Sequence, residues 1–356
     1  MTRVLQVLGR STGGIARHVA QVVDALDGEG GLTIDIAGPG EVPIAMPKAL
    51  LPLDIPHGPV RGHLRAIHHV RQLAAGYDVV HAHGLRAGTD VGIATRGCRK
   101  LVTIHNLVRP QLAGGLRGPL YNRIESLTVA LNDRVFTVSD DMARRLRRAW
   151  PSASRKIEVL HLGVGDAPTV TRTAAEVRIE LGAGGRPLVV TVARLVAQKD
   201  LGTLLAALER LPGAVLAIVG EGPDRAGLHG RMRELAVTDR VHLMGFRPDA
   251  TDFIAAADVF CLSSIWEGVP LAAQEAILLG VPVVATDVGG MRELIANKIS
   301  GRLVPPRDPA ALAAALSEVI VSEKDRKRYV GTARRHLEEE FSTERMLDTL
   351  RTAYAT

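Results

Sequence analysis

Ser263-Ser264-Ile265-Trp266-Glu267-Gly268-Val269-Pro270-Leu271-Ala272-Ala273-Gln274-Glu275-Ala276 is the stretch whose reading decides the fold. It follows an apolar run, Asp258-Val259-Phe260-Cys261-Leu262, that reads as a buried strand. It leads into a helix expected over 269–279, with Pro270 in the first turn, where a missing N–H costs nothing. A strand ends, a glycine-containing loop turns, and a helix begins with its first N–H groups unbonded. Such an end attracts phosphate. Glu267 and Glu275 lie eight residues apart around it. Carboxylates do not bind phosphate, but they accept hydrogen bonds from sugar hydroxyls. The stretch points to a ligand with both phosphates and sugars.

Outward from it, strands and helices alternate along the whole chain. Val4–Leu8, Leu32–Ala37, Asp78–His83, 100–104, Arg134–Val138 and Ile157–Leu160 read as strands with amphipathic segments between them. Leu188–Val192, Ala214–Val219, Val241–Leu243, 258–262 and Val281–Ala285 repeat the logic. Apolar strands separated by helices imply parallel sheets covered on both faces. A chain of 356 residues exceeds one ordinary core. Two Rossmann-like domains are expected, with a boundary near 163–172. In such sheets ligands bind outside the carboxyl ends of the strands, so residues there are expected to face a cleft between the domains.

Composition narrows the class. Hydrophobic residues make 46% and charged residues 23% of the chain, which excludes a disordered protein. The two cysteines, Cys98 and Cys261, are far apart, so neither a disulfide framework nor a CxxC metal pattern exists, as suits a reducing cytosol. The first residues enter a strand directly, without the apolar core of a signal peptide. No run approaches a membrane span; Pro309–Val321 comes nearest and contains Ser317 and Glu318. The net charge of +6 permits an acidic partner, but much of it is arginine scattered through helices. No aromatic stacking platform or nucleic-acid motif is visible, so nucleic acid is not an expected partner.

Several polar residues stand at strand ends. Gly13 and Gly14 follow the first strand, where backbone can approach a ligand closely or simply turn. The spacing Gly9-x-x-x-Gly13-Gly14 is not GxGxxG, and Asp35 lies inside its strand, not at the end, so a dinucleotide site is disfavoured. His81 and His83 share one strand face, and His105 ends the next strand. They suit contacts in the cleft or satisfied core histidines. A metal site has acceptable ligand types, but no carboxylate or cysteine joins them locally. Arg194 and Lys199 follow strand 188–192, where two cations suit a diphosphate; the alternative is an ion pair with Asp200. Gly220-Glu221-Gly222-Pro223 and Met244-Gly245-Phe246 are further strand-end turns. The chain has no Asp-x-Asp to hold a nucleotide diphosphate through Mg²⁺. No metal and no cofactor are expected.

Gly13-Gly14, His81-Ala82-His83, Ala193-Arg194 with Lys199, Gly220-Glu221-Gly222, and Glu267-Gly268-x-Pro270 with Glu275-Ala276 together resemble the retaining GT-B glycosyltransferases of family 4. The resemblance covers nearly the whole chain in motif order. It implies two Rossmann-like domains facing across a cleft. Residues 1–165, joined by a C-terminal helix (341–356) that crosses back, would receive the acceptor. Residues 168–340 would hold a nucleotide-diphosphate sugar. Glu275 would bind the ribose and Glu267 the donor sugar. Arg194 and Lys199 would neutralise the leaving diphosphate. Gly268, Val269, Pro270 and Leu271 would present backbone to it, with Gly14 beside Gly13 doing so from the other domain. Gly220 and Gly245 would border the donor. His83 would contact the reacting sugar, and His105, Asn106 and Arg109 would lie on the acceptor side. Transfer of a hexosyl group would proceed with retention, the leaving phosphate taking the acceptor proton.

The acceptor is expected to be a lipid-linked glycan, a polysaccharide or a small molecule. Loop 106–119, helix 61–75 and Arg144, Arg145, Arg147 and Arg148 make the first domain basic. A cytoplasmic protein docking on the anionic inner face of the plasma membrane is one expectation, a solvated basic surface the other. Competing functions are a nucleotide-sugar 2-epimerase of the same fold and a non-catalytic nucleotide-sugar-binding protein.

Overall fold

The computed structural model describes residues 1–9, 14–42, 44–56, 62–107, 117–165 and 167–355. The chain forms two compact units, Met1–Gly163 with Thr343–Thr356, and Val164–Ser342.

The first unit carries strands β1 (Thr2–Leu8), β2 (Leu32–Gly38), β3 (Leu50–Pro52), β4 (Val79–His83), β5 (Arg99–Ile104), β6 (Arg134–Thr137) and β7 (Ile157–Val159). They form one sheet in the order β3-β2-β1-β4-β5-β6-β7, with every pair parallel. Helices α1 (Gly14–Leu26), α2 (His63–Leu73), α3 (Leu85–Ala94), α4 (Arg117–Leu131) and α5 (Asp140–Ala149) make the crossovers. Helix α1 forms because Ala16, Val19, Val22, Val23 and Leu26 recur at helical spacing and bury one stripe.

The second unit carries helix α6 (Ala174–Glu180), then β8 (Leu188–Val192), α7 (Leu201–Glu209), β9 (Val215–Val219), α8 (Arg225–Glu234), β10 (Val241–Gly245), α9 (Ala250–Ala255), β11 (Val259–Leu262), α10 (Leu271–Leu278), β12 (Val283–Thr286), α11 (Met291–Leu294) and β13 (Arg302–Val304). Its parallel sheet runs β10-β9-β8-β11-β12-β13. Helices α12 (Pro309–Val321) and α13 (Glu323–Glu340) complete it. The last helix, α14 (Thr343–Ala355), belongs to the first unit. Its Met346, Leu347, Leu350, Ala353 and Tyr354 pack with Val4, Leu8, Val19 and Val22 in one apolar cluster. Each such buried side chain is worth about 1.5–3 kcal/mol, enough to dock the helix.

Both sheets are therefore doubly wound, as expected for the GT-B class. Strands such as Leu188-Val189-Val190-Thr191-Val192 are apolar almost throughout because helices cover both faces. Two strands differ from expectation. β3 and β13 are not among the strands expected from the sequence. Each has three residues at a sheet edge, too short to show a period.

Candidate functional site

In the second unit, β8 ends at Val192 and the chain continues through Ala193, Arg194, Leu195 and Val196. A single 3₁₀ turn over Ala197–Lys199 follows. Asp200 then takes a left-handed conformation (φ 43°, ψ 47°) before α7 begins at Leu201. Lys199 thus sits on the turn ahead of the helix. Asp200 is not its partner: that carboxylate accepts from Thr203 Oγ1 at 2.7 Å. Instead, the Lys199 ammonium donates to Glu267 Oε1 at 2.5 Å. Ser264 Oγ donates to the same oxygen at 2.5 Å. The Glu267 side chain is 7% exposed and that of Lys199 18%.

Backbone and side chains tie the two loops together. Ile265 N–H donates to the Gln198 carbonyl at 2.8 Å, and Gln198 Nε2 to the Trp266 carbonyl at 2.9 Å. Ser263 Oγ donates to the Lys199 carbonyl at 2.9 Å, and Thr286 Oγ1 to the Ser264 carbonyl at 2.5 Å. Glu267 and Lys199 are therefore held by loops that follow adjacent strands, β8 and β11. Such a buried carboxylate, accepting from both Lys199 and Ser264, keeps the charges in fixed places.

Close backbone approach shapes the rest. Gly289 has φ 52°, and a Cβ there would lie 1.9 Å from the Glu267 carbonyl oxygen. Only glycine lets the loop after β12 pack against the carboxylate-bearing loop. Gly220, at φ 140°, similarly abuts the Ala193 carbonyl, which a Cβ would meet at 2.0 Å. Its N–H donates to the Gly245 carbonyl at 2.8 Å, so two expected donor-side glycines meet.

Helix α10 opens beside Glu267, but Pro270 is its N-cap (φ −73°, ψ 123°), not a first-turn residue. Pro270 stays extended because the chain enters from the loop at Gly268, and the helix starts at Leu271. No side chain caps it. Its first amide bonded within the turn is Ala273, to the Pro270 carbonyl at 3.1 Å. Val269 is buried in the core cluster, while Gly268 and Leu271 are half-buried. Glu275 is half-buried in the second turn. The side chain of Arg194 is exposed and meets no hydrogen-bond or ion-pair partner among the described residues. Arg194, Lys199, Glu267 and the helix start thus lie at the carboxyl ends of β8 and β11, where the fold places ligands.

In the first unit, α1 begins at the exposed Gly14; Gly13 and Arg109 lie outside the described residues. His83 ends β4 with both ring nitrogens engaged, Nε2 with Gln6 Oε1 at 2.8 Å and Nδ1 with His105 Nε2 at 3.1 Å. His81 turns from this group to Tyr354 Oη and Thr103 Oγ1, both at 2.8 Å. Burial, with the nearby His18, pushes His81 down to about 3. Burial likewise holds His83 and His105 well below the ordinary histidine value. Asn106 is exposed. The arginines of α5 are largely spent locally: Arg144 pairs with Asp140, Arg145 with Glu125 at 2.9 Å, and Arg147 donates to the Ile157 carbonyl at 2.7 Å. Among the described residues, no helix is long and apolar enough to cross a membrane.

Ser264, Thr286 and Gly289 carry part of this site and were not singled out by the sequence. The glycine pair Gly289-Gly290 is a local signal of the turn that carries Gly289.

Two units, each a doubly wound parallel sheet, with this strand-end site in the second, are the architecture of the GT-B class. The Glycosyltransferase Family 4 pattern matches residues 12–167 and the Glycosyl transferases group 1 pattern residues 174–336. The D-inositol 3-phosphate glycosyltransferase of Xylanimonas cellulosilytica is 32% identical over 281 residues, covering 72% of this chain and 67% of that one. The chain belongs to the group 1, family 4 glycosyltransferases. The 2-deoxystreptamine N-acetyl-D-glucosaminyltransferase of Streptomyces fradiae is 33% identical over 210 residues, covering 56% of this chain and 50% of that one. The match spans about half the length of that relative and of the Rhizobium meliloti lipopolysaccharide core glycosyltransferase LpsE (48%). Among solved structures, Anabaena HepE in complex with UDP superposes with a TM-score of 0.81 at 20% identity, covering 100% of both chains. WaaG, a glycosyltransferase involved in lipopolysaccharide biosynthesis, gives 0.78 at 17% identity, covering 98% of each.

Proposed function

We propose that the protein transfers a hexosyl group from a nucleotide-diphosphate sugar to an acceptor hydroxyl, with retention at the anomeric carbon and no required metal. The observation that carries this reading is the Lys199–Glu267 contact at 2.5 Å beside the uncapped start of α10, with Arg194 exposed nearby in sequence. A nucleotide-diphosphate sugar needs cations for its phosphates and acceptors for its hydroxyls, and this site offers both.

The roles follow from placement. Arg194 has its charge available and would meet the diphosphate with a forked contact. Lys199 would share its ammonium between Glu267 and a phosphate. The amides of Leu271 and Ala272 would serve the phosphates through the helix start. Glu267, oriented by Ser264 and Lys199, would accept from sugar hydroxyls, and Glu275 from the ribose. As the sugar–phosphate bond breaks, positive charge grows on the sugar and negative charge on the diphosphate. Fixed cations stabilise the latter without reorganising, and one such contact is typically worth ~3 kcal/mol of barrier. The departing phosphate takes the acceptor proton as the hydroxyl oxygen bonds to the anomeric carbon on the same face.

The names of similar proteins support the substrate class. HepE has been crystallised with UDP-glucose, and WcaL and AmsK are named for colanic acid and amylovoran biosynthesis. A glycan or glycolipid of the cell envelope is accordingly the proposed acceptor, reached by a protein on the cytoplasmic side and peripheral to an anionic membrane. Release of nucleoside diphosphate from a panel of nucleotide sugars tests the reading. Turnover of at least one donor is expected; none from any donor, with or without acceptor, would reject it.

A further inference from the structure

Three histidines in the first unit converge on one point. His18 on α1, His83 at the end of β4 and His105 just after β5 place one ring nitrogen each within 4.8 Å of the others. Their ring centroids form a near-equilateral triangle, 5.5 Å for His18–His83 and 5.4 Å for both His18–His105 and His83–His105. A tetrahedral ion bonded at about 2.0–2.1 Å holds its nitrogens about 3.3 Å apart. His83 Nδ1 and His105 Nε2 already stand 3.1 Å apart.

The surrounding hydrogen bonds prepare the ligand atoms. Gln6 Nε2 donates to Tyr354 Oη at 2.8 Å, leaving Gln6 Oε1 to accept from His83 Nε2–H at 2.8 Å. His83 Nδ1 then carries the lone pair and accepts from His105 Nε2–H at 3.1 Å, a hydrogen bond that an ion between the two rings would replace. An outer carbonyl that fixes the tautomer of a histidine is a standard support for metal ligation. His18 adds an independent observation. It is 3% exposed, and neither ring nitrogen has a hydrogen-bond partner among the described residues. An unpartnered buried imidazole is costly. Burial keeps His18 neutral, down to about 4, so its lone pair is available at neutral pH.

We propose that His18, His83 and His105 form a binding site for a divalent transition-metal ion, Zn²⁺ in particular, with the fourth position left to water. An all-imidazole donor set suits zinc and disfavours magnesium or calcium, which take oxygen ligands. Ligation would pair the otherwise orphaned His18. It would also engage His83 Nδ1, so metal and any other partner at that atom exclude one another. The site lies wholly within the first unit and is separate from the diphosphate chemistry placed on Arg194 and Lys199.

The test uses the full chain, stripped by a chelator and titrated at neutral pH with Co²⁺ and then Zn²⁺. The expected result is one equivalent bound, the visible absorption of tetrahedral Co²⁺, and its loss when Zn²⁺ displaces it. His18→Gln is expected to weaken binding by ~100-fold or more. His229→Gln, at an exposed histidine of α8, is expected to leave it unchanged. His105→Gln serves as the second variant should His18→Gln fail to fold by circular dichroism. A wild-type protein without a tetrahedral Co²⁺ band, or a band that survives both His18→Gln and His105→Gln, overturns the assignment.

Discussion

Lys199→Ala removes the charge that the Glu267 carboxylate meets at 2.5 Å. Glu267 would keep the Ser264 hydroxyl, also at 2.5 Å, but no cation among the described residues. Its side chain is only 7% exposed, so water restores little of the lost solvation. Breaking a buried ion pair from one side typically costs 3–5 kcal/mol; with Lys199 partly exposed, the low end, ~3 kcal/mol, is expected. Glu267→Gln leaves a lysine that reaches solvent and should cost ~1–2 kcal/mol. The double variant holds no orphaned charge and should cost only ~2 kcal/mol, giving a coupling of ~2–3 kcal/mol. Equilibrium urea unfolding measures this. The chain has two tryptophans, Trp150 in the first unit and Trp266 beside Glu267 in the second. In a Trp150→Phe background, fluorescence reports the second unit alone. Additivity within ~0.5 kcal/mol would refute the pairing and with it the claim that Glu267 is pre-oriented by Lys199.

Two further perturbations test the packing. Gly289→Ala forces a Cβ to within 1.9 Å of the Glu267 carbonyl at φ 52°, and should destabilise the second unit by ~3 kcal/mol or more; a change under ~1 kcal/mol in the same urea assay would contradict that close approach. In the first unit, burial pushes the Asp90 carboxyl from about 3.8 up to about 6, against the opposing pull of His63, whose Nδ1 is 2.8 Å away. The folded state then holds a proton between those values that the unfolded chain has lost. The contribution is fully present below pH 3.8 and is lost as pH rises through 6, by at most ~3 kcal/mol. Asp90→Asn should therefore raise the unfolding temperature at pH 8 and gain nothing at pH 4. A lower unfolding temperature at pH 8 would mean that the charged pair with His63 outweighs burial.

The parallel sheets were legible because strands covered on both faces are almost wholly apolar, as in β8 and β11. The strand-to-helix turn at 263–271 was legible because Gly268 and Pro270 punctuate it. Longer-range relations were not. Lys199 and Asp200 are neighbours in sequence, so a local pair looked natural. The left-handed backbone at Asp200 hands its carboxylate to Thr203 and frees Lys199 for a residue 68 positions away. Likewise His18 sits on a helix whose apolar stripe is Ile15, Val19 and Val22, and nothing local marks it. Only the sheet order, with β4 between β1 and β5, brings it to His83 and His105. The short edge strands β3 and β13 escaped because three residues show no period.

The most direct test of the proposed transfer compares nucleoside diphosphate release by the wild-type protein and Arg194→Ala, with the best donor and acceptor of the panel. Arg194 is exposed and its side chain meets no described partner, so folding should be unchanged. Turnover should fall by ~10²–10³-fold, with equal unfolding temperatures. Wild-type turnover in Arg194→Ala would contradict the assignment of the diphosphate to this site.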